Sequence, residues 1–279
     1  VCAVVAESRA LAEDALEKII VDATPQPFIL DAEAALLDTS APVHPEHGSN
    51  LLLDRKFVWG PVDDDFDAAA HSLSFSVTWG RNSTVPIETF GVLAEWNGWD
   101  QMLDIWASIQ MPKYADQIAR SLDLPGNAIR VHYDVDVGGS YGVKRGIKHS
   151  VLVGYIARKL GCSVRLIEDR LENMRAGDAH GPERNFDIII AFDQDGTVRS
   201  MKMRALDNAG AYAGRAPFQL GKPISAIVGP YQINSVAYHA LSVTTNKTVQ
   251  EAVRGFGQAP TNYAIETAMD RVAEYLGMD

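Results

Sequence analysis

Cysteine is nearly missing from this chain. Its 279 residues carry two, Cys2 and Cys162, far apart and in no CxxC or Cys/His spacing. That argues against a disulfide framework, an iron–sulfur site or a structural zinc built within this chain. Positive charge is also scarce: 25 Lys and Arg face 36 Asp and Glu, a formal net charge of −11. A nucleic-acid partner held by phosphate neutralisation is therefore not expected. No apolar run approaches the roughly 18–20 residues of a membrane helix, and the richest, residues 188–192, is strand-sized. No signal peptide, internal repeat or low-complexity segment is visible, and reducing, cytoplasmic surroundings are expected. The sequence opens on Val1 rather than methionine and stops just after a helical pattern. Both ends read as cut, as in a piece of a longer polypeptide.

What is present is ordinary globular material, 47% hydrophobic and 22% charged, enough for a sizeable core. Residues 1–6 read as a buried strand. Residues 8–20 read as an amphipathic helix capped by Ser8, and 31–37 as a second short helix. Residues 40–65 are polar and proline-bearing and read as loop, with the acidic run Asp63, Asp64, Asp65 as a solvated turn. Alternation predicts a strand over 72–80, and apolar runs predict strands at 90–96, 102–108, 129–134 and 163–167. Residues 116–122 read as helix. Residues 147–160 form a helical pattern apolar nearly all round, which predicts burial, one face against further chain. Residues 186–192 and 198–206 form a hairpin across the Asp195-Gly196 turn. A strand at 236–245 and a helix at 261–276 close the chain. The fold class is α+β with mixed strands.

Three stretches carry chemistry. Gly138, Gly139, Ser140, Tyr141 and Gly142 sit between a strand and a helix. Glycines there permit positive φ and a concavity of N–H groups suited to an anionic or oxo-bearing ligand. Gln110 follows a strand and precedes Pro112, so its amide can face a ligand. Arg254, Gly255, Phe256 and Gly257 place a cation and a planar ring in a glycine turn, where they can bind an acid and stack on a ring. His132, His149 and His180 are scattered and share no metal-ligand spacing. Glu168 and Glu172 flank Arg170 and read as a structural ion-pair cluster.

In this order, over nearly the whole chain, these stretches resemble the molybdenum hydroxylase large subunit. This is the family of xanthine dehydrogenase, aldehyde oxidase and carbon monoxide dehydrogenase. Further matching positions are the stretch at Glu7, Pro86-Ile-Glu88, Ser108-Ile-Gln110, Lys144, the run from Glu168 to Met174, the run from Asp207 to Tyr212, Thr245-Asn246, Glu266 and Asp270. The resemblance implies the end of a hammerhead-type α/β subdomain at 1–40, a linker at 41–65 and the first molybdopterin-binding domain at 66–279. It implies a molybdenum–molybdopterin cofactor, in the cytosine dinucleotide form common in bacterial members. The implied partners are a remaining large-subunit domain, a flavin subunit carrying FAD and an iron–sulfur subunit carrying 2Fe-2S clusters. Gln110, Gly139, Ser140, Tyr141, Gly142 and Arg254 are implied on the cofactor, with Gln110, Tyr141 and Arg254 around the metal without ligating it. Arg145, Lys222 and Phe256 are implied on a small-molecule substrate.

The implied reaction oxidises an aldehyde or N-heterocyclic carbon with water as oxygen source. A glutamate serves as base, and in the family it lies in a later domain, beyond residue 279, so no catalytic residue is assigned here. The chain departs from the family where phenylalanine gives way to Tyr141, and where a glutamate of xanthine-converting members gives way to Arg145. Lys222 stands where those members have an arginine. Reversing charge at Arg145 disfavours a purine and favours neutral or anionic substrates. Gly255 replaces the cysteine of the carbon monoxide branch, which argues against its copper chemistry. The alternative is a non-catalytic scaffold that keeps the fold. A Rossmann-type site is poorly supported, because the glycines lack GxGxxG spacing.

Overall fold

The computed structural model describes residues 2–38, 42–133, 136–175 and 180–279. Val1 and Asp134, at the ends of stretches read above as strands, and Ser40 and Ala41, in the stretch read as loop, lie outside them. Two mixed sheets with packed helices make an α+β architecture. The larger sheet contains β1 (Leu51–Trp59), β2 (His71–Trp79), β7 (Arg184–Phe192), β8 (Val198–Gly210) and β9 (Ser235–Thr244), in the order β1-β9-β8-β7-β2. All its neighbours are antiparallel except β8 and β9, which run parallel. The smaller sheet contains β3 (Gly91–Asn97), β4 (Met102–Ala107), β5 (Ile129–His132) and β6 (Val164–Ile167), in the order β5-β4-β3-β6. Only its β4 and β5 are parallel.

Alternation explains how each sheet finds its core. Phe186, Ile188 and Ile190 are fully buried, and with Met201, Met203 and Ala205 they meet Ala264, Ile265 and Ala268 of the closing helix. That helix, α8, spans Gln258–Leu276. The smaller sheet buries Val92, Ala94, Leu103 and Ile105 in one cluster with Tyr114 and Ile118 of one helix and Val153 and Ala157 of another. The chain also forms helices α1 (Arg9–Leu16), α2 (Ala32–Leu37), α3 (Val62–Ala68), α4 (Tyr114–Ser121), α5 (Lys148–Leu160), α6 (Arg170–Arg175) and α7 (Ala216–Gly221). Ser8 and Asp31 cap α1 and α2 by accepting from Leu11 N and Ala34 N, as such residues do. Helix α2 buries Ala32 and Ala35 against Leu206, Leu241 and Val243.

Several local expectations are corrected. Residues 51–59, read as loop, form the edge strand β1, because its solvent-facing residues conceal the alternation. Asp63, Asp64 and Asp65 are the first turn of α3 rather than a free turn, a position where carboxylates favour the helix dipole. Residues 2–6 form no strand and are mostly exposed. Helix α5 is not buried all round: Ser150, Val153, Gly154 and Ala157 face the core, while Leu152 and Tyr155 are 42% and 52% exposed. Arg170 does not bridge Glu168 and Glu172. It donates to Pro86 O at 2.6 Å and Ile87 O at 2.8 Å, while Glu172 pairs with Arg9 at 3.2 Å.

Candidate functional site

Each sheet has one parallel strand pair, and each pair sends two loops off one sheet end. Gln110 follows β4 and the glycine turn follows β5. Arg215, Phe218 and Lys222 follow β8, and the Arg254 turn follows β9. The carboxyl ends of adjacent parallel strands are where open sheets form ligand crevices. Here the four loops meet around a cavity of about 690 Å³. Gln110, Gly139, Ser140, Tyr141, Gly142, Arg145, Lys222, Arg254 and Phe256 all line it. So do Arg215 and Phe218, which sequence reasoning missed. The only local signal for Arg215 is its place after Gly214 between a strand and a helix.

The glycine turn is held from two sides. Gly138 N donates to Glu88 Oε2 at 2.9 Å, and the fully buried Lys144 ammonium donates to Glu88 Oε1. Ser140 Oγ donates to Gln110 Oε1 and accepts from Lys144 N at 3.1 Å. Gln110 N donates to Lys144 O at 3.1 Å. With Gln110 Oε1 engaged by Ser140, its Nε2 is the donor that amide keeps for a ligand. Positive φ falls on Gly139 (99°), Tyr141 (55°) and Gly142 (121°), whereas Gly138 instead leaves space for Glu88. A Cβ on Gly142 would lie 1.7 Å from Ala252 O, so glycine is required where this turn crosses the chain before Arg254. Arg254 N donates to Tyr141 O at 2.7 Å and fastens the two loops together.

The second turn rests on a buried ion pair. Arg184 and Asp207 are fully buried and meet at 2.8 Å, and Arg184 also donates to Gly257 O at 3.3 Å. Phe256, at φ 37°, is projected towards Phe218 with ring centroids 5.4 Å apart. Lys222 Nζ lies 5.0 Å and Arg145 Cζ 6.0 Å from the Phe256 ring. Non-glycine residues with positive φ cost energy that surrounding structure must hold in place.

The electrostatics are one-sided. Arg145, Arg215, Lys222 and Arg254 line the cavity, and among the described residues no carboxylate does. Glu251 stands just behind, 3.6 Å from Arg215. Burial and the nearby Arg215 charge lower the Arg145 pKa, and Glu251 only partly opposes them. A molybdopterin carries phosphate, and its metal carries oxo-type ligands. A cationic lining, an amide donor and an approachable glycine backbone fit such a group. Among the described residues no three of His, Cys, Asp and Glu converge as a metal-ligand set. His132 stacks on Trp106 at 4.2 Å and meets Asp104 at 2.8 Å.

The class of protein follows from comparison. The chain belongs to the molybdopterin cofactor-binding domain family, whose model matches residues 43–279, and thereby to the molybdenum hydroxylase large subunits. It is 31% identical over 280 residues to the 6-hydroxypseudooxynicotine dehydrogenase complex subunit gamma of Paenarthrobacter nicotinovorans, covering 100% of this chain and 35% of that one. It is 29% identical to aldehyde oxidase of Homo sapiens, covering 100% of this chain and 20% of that one. The crystal structure of quinoline 2-oxidoreductase from Pseudomonas putida 86 is similar at TM-score 0.87 and 31% identity, over 98% of this chain and 35% of that one. Aldehyde oxidoreductase from Desulfovibrio gigas is similar at TM-score 0.90 and 25% identity, over 98% and 30%. The chain spans about a third or less of the length of these relatives. The matched domain is one that binds a molybdopterin cofactor. Among the described residues no helix is long and apolar enough to cross a membrane.

Proposed function

We propose that this chain forms one wall of the active site of a hydroxylase that oxidises an aldehyde or N-heterocyclic carbon, taking oxygen from water. The observation that carries the reading is the cavity itself, where the Gln110 amide, the glycine turn and four cations meet with no carboxylate among the described lining residues. The bound molybdenum–pterin would accept the electrons of the oxidation. The chain's own residues bind and orient. Gln110 Nε2 and the backbone of Ser140, Tyr141 and Gly142 hold the cofactor side, with Arg254 beside them. Phe256 offers a ring face to a planar substrate, and Arg145 and Lys222 hold its polar edge.

The base is proposed to lie in polypeptide outside this sequence, as among the described residues no carboxylate lines the cavity. Residues 1–40 are proposed as the end of a hammerhead-type subdomain, 41–65 as its connection and 66–279 as the first cofactor-binding domain. The cofactor is proposed in its cytosine dinucleotide form. Electrons are proposed to pass to a subunit with 2Fe-2S clusters and then to one with FAD, in the cytoplasm. Relatives named as a complex subunit and a large subunit support a multisubunit assembly.

The test is oxidation by the purified complex in water enriched in heavy oxygen. Label in the hydroxylated product is expected, and label drawn instead from dissolved oxygen gas would overturn the reading.

A further inference from the structure

The cations of the cavity are not distributed evenly. Arg145 and Lys222 both stand over one ring, Phe256, at 6.0 and 5.0 Å. They arrive from different sheets: Arg145 follows β5, and Lys222 follows α7 in the crossover from β8 to β9. Neither makes an ion pair among the described residues. Among the described residues the carboxylate acting on Arg145 is Glu251, which is already 3.6 Å from Arg215. A ring face attracts a cation but leaves its charge uncompensated. Two such cations on one ring, in a chain of net charge −11, form a site short of an anion. The anion's shape follows from the wall beside it. Phe218 and Phe256 form an apolar surface with centroids 5.4 Å apart, suited to a flat ring stacked or edge-on.

We infer that this site takes an aromatic or heteroaromatic carboxylate, whose carboxylate is held by Arg145 and Lys222 while its ring lies against Phe256 and Phe218. The inference rests on the hydroxylase reading and names its substrate class. Arg145 supplies a planar fork able to take both carboxylate oxygens, and Lys222 a point charge. An anion here would relieve the burial and the Arg215 repulsion that weigh on Arg145. A neutral heterocycle would leave both cations uncompensated.

The test compares benzoate with benzamide, nearly equal in size and different in charge, by titration calorimetry on the complete holoenzyme. Its molybdenum and pterin are quantified in the same preparations. Benzoate is expected to bind about tenfold or more tightly than benzamide. Arg145→Gln and Lys222→Met are each expected to weaken benzoate about tenfold, to weaken benzamide far less and to leave cofactor content unchanged. Arg145→Lys is expected to lie between Arg145→Gln and the parent. Equal binding of the two probes overturns the inference while leaving the hydroxylase reading intact. So does equal weakening of both, or loss of cofactor from Arg145→Gln, which would assign these cations to the cofactor. A holoenzyme without molybdenum or pterin overturns the hydroxylase reading and this inference together.

Discussion

Lys144, fully buried, holds Glu88 by its ammonium group, and the same carboxylate accepts from Gly138 N at 2.9 Å. Lys144 also sets the strand-end amide, since its carbonyl accepts from Gln110 N at 3.1 Å. One lysine thus joins the glycine turn to Gln110. Lys144→Met is expected to lower stability of the holoenzyme by about 1–3 kcal/mol and to reduce molybdenum occupancy. Thermal unfolding and metal analysis of the variant check both, and an unchanged midpoint with full occupancy would count against this link.

Acid acts on the same contact. Burial tends to raise the Glu88 pKa, but hydrogen bonds from Lys144, Ser108 and Gly138 outweigh it and hold the group below its ordinary 4.5. A depressed carboxylate contributes stability above its unfolded pKa and loses that contribution as pH falls through the folded value. The stability advantage of the parent over Glu88→Gln is therefore expected to be full near neutrality and to shrink below about pH 4.5. Paired thermal scans across that range decide it, and an advantage that grows with acid would contradict the sign.

Gly142 meets a backbone that cannot yield. Gly142→Ala puts a Cβ 1.7 Å from Ala252 O at a φ of 121°, at an expected cost of at least about 3 kcal/mol together with loss of bound cofactor. Gly221→Ala is the control, at φ −81° with open space around the added carbon. It is expected to change stability by about 1 kcal/mol or less. Denaturant midpoints and pterin content of both variants check the contrast.

Asp207→Ala strands Arg184 in the core, where the pair is fully buried and Arg184 also steadies Gly257 O at 3.3 Å. Breaking such a pair costs about 3–5 kcal/mol. The double variant Arg184→Met, Asp207→Leu is expected to recover much of that stability, because the isolated buried charge is gone. Chemical unfolding of single and double variants checks it, and a double variant no better than the single would contradict the explanation.

The sequence was legible where periodicity meets burial. Phe75 and Val77 alternate with serines, and the Asp195-Gly196 turn joins β7 to β8. It was misleading where one pattern serves two environments. Strand β1 pairs only with β9 and turns mostly outward, so residues 51–59 look like loop. Helix α5 looks buried because Leu152 and Tyr155 are apolar, yet its small residues face the core. At the site, Gln110, the glycine turn and the Arg254 turn were legible because each carries unusual residues beside a strand end. Arg215 and Phe218 were not. They reach the cavity only because β8 and β9 run parallel, a pairing no local spacing encodes. The buried pair of Arg184 and Asp207 is hidden for the same reason, since a cross-strand register makes it.

The most direct measurement is quantitative molybdenum and pterin analysis of the active complex that contains this chain, purified without added metal. Close to one molybdenum and one pterin per copy of the chain is expected. Active complex free of both would contradict the assignment of this cavity to a molybdenum–pterin site.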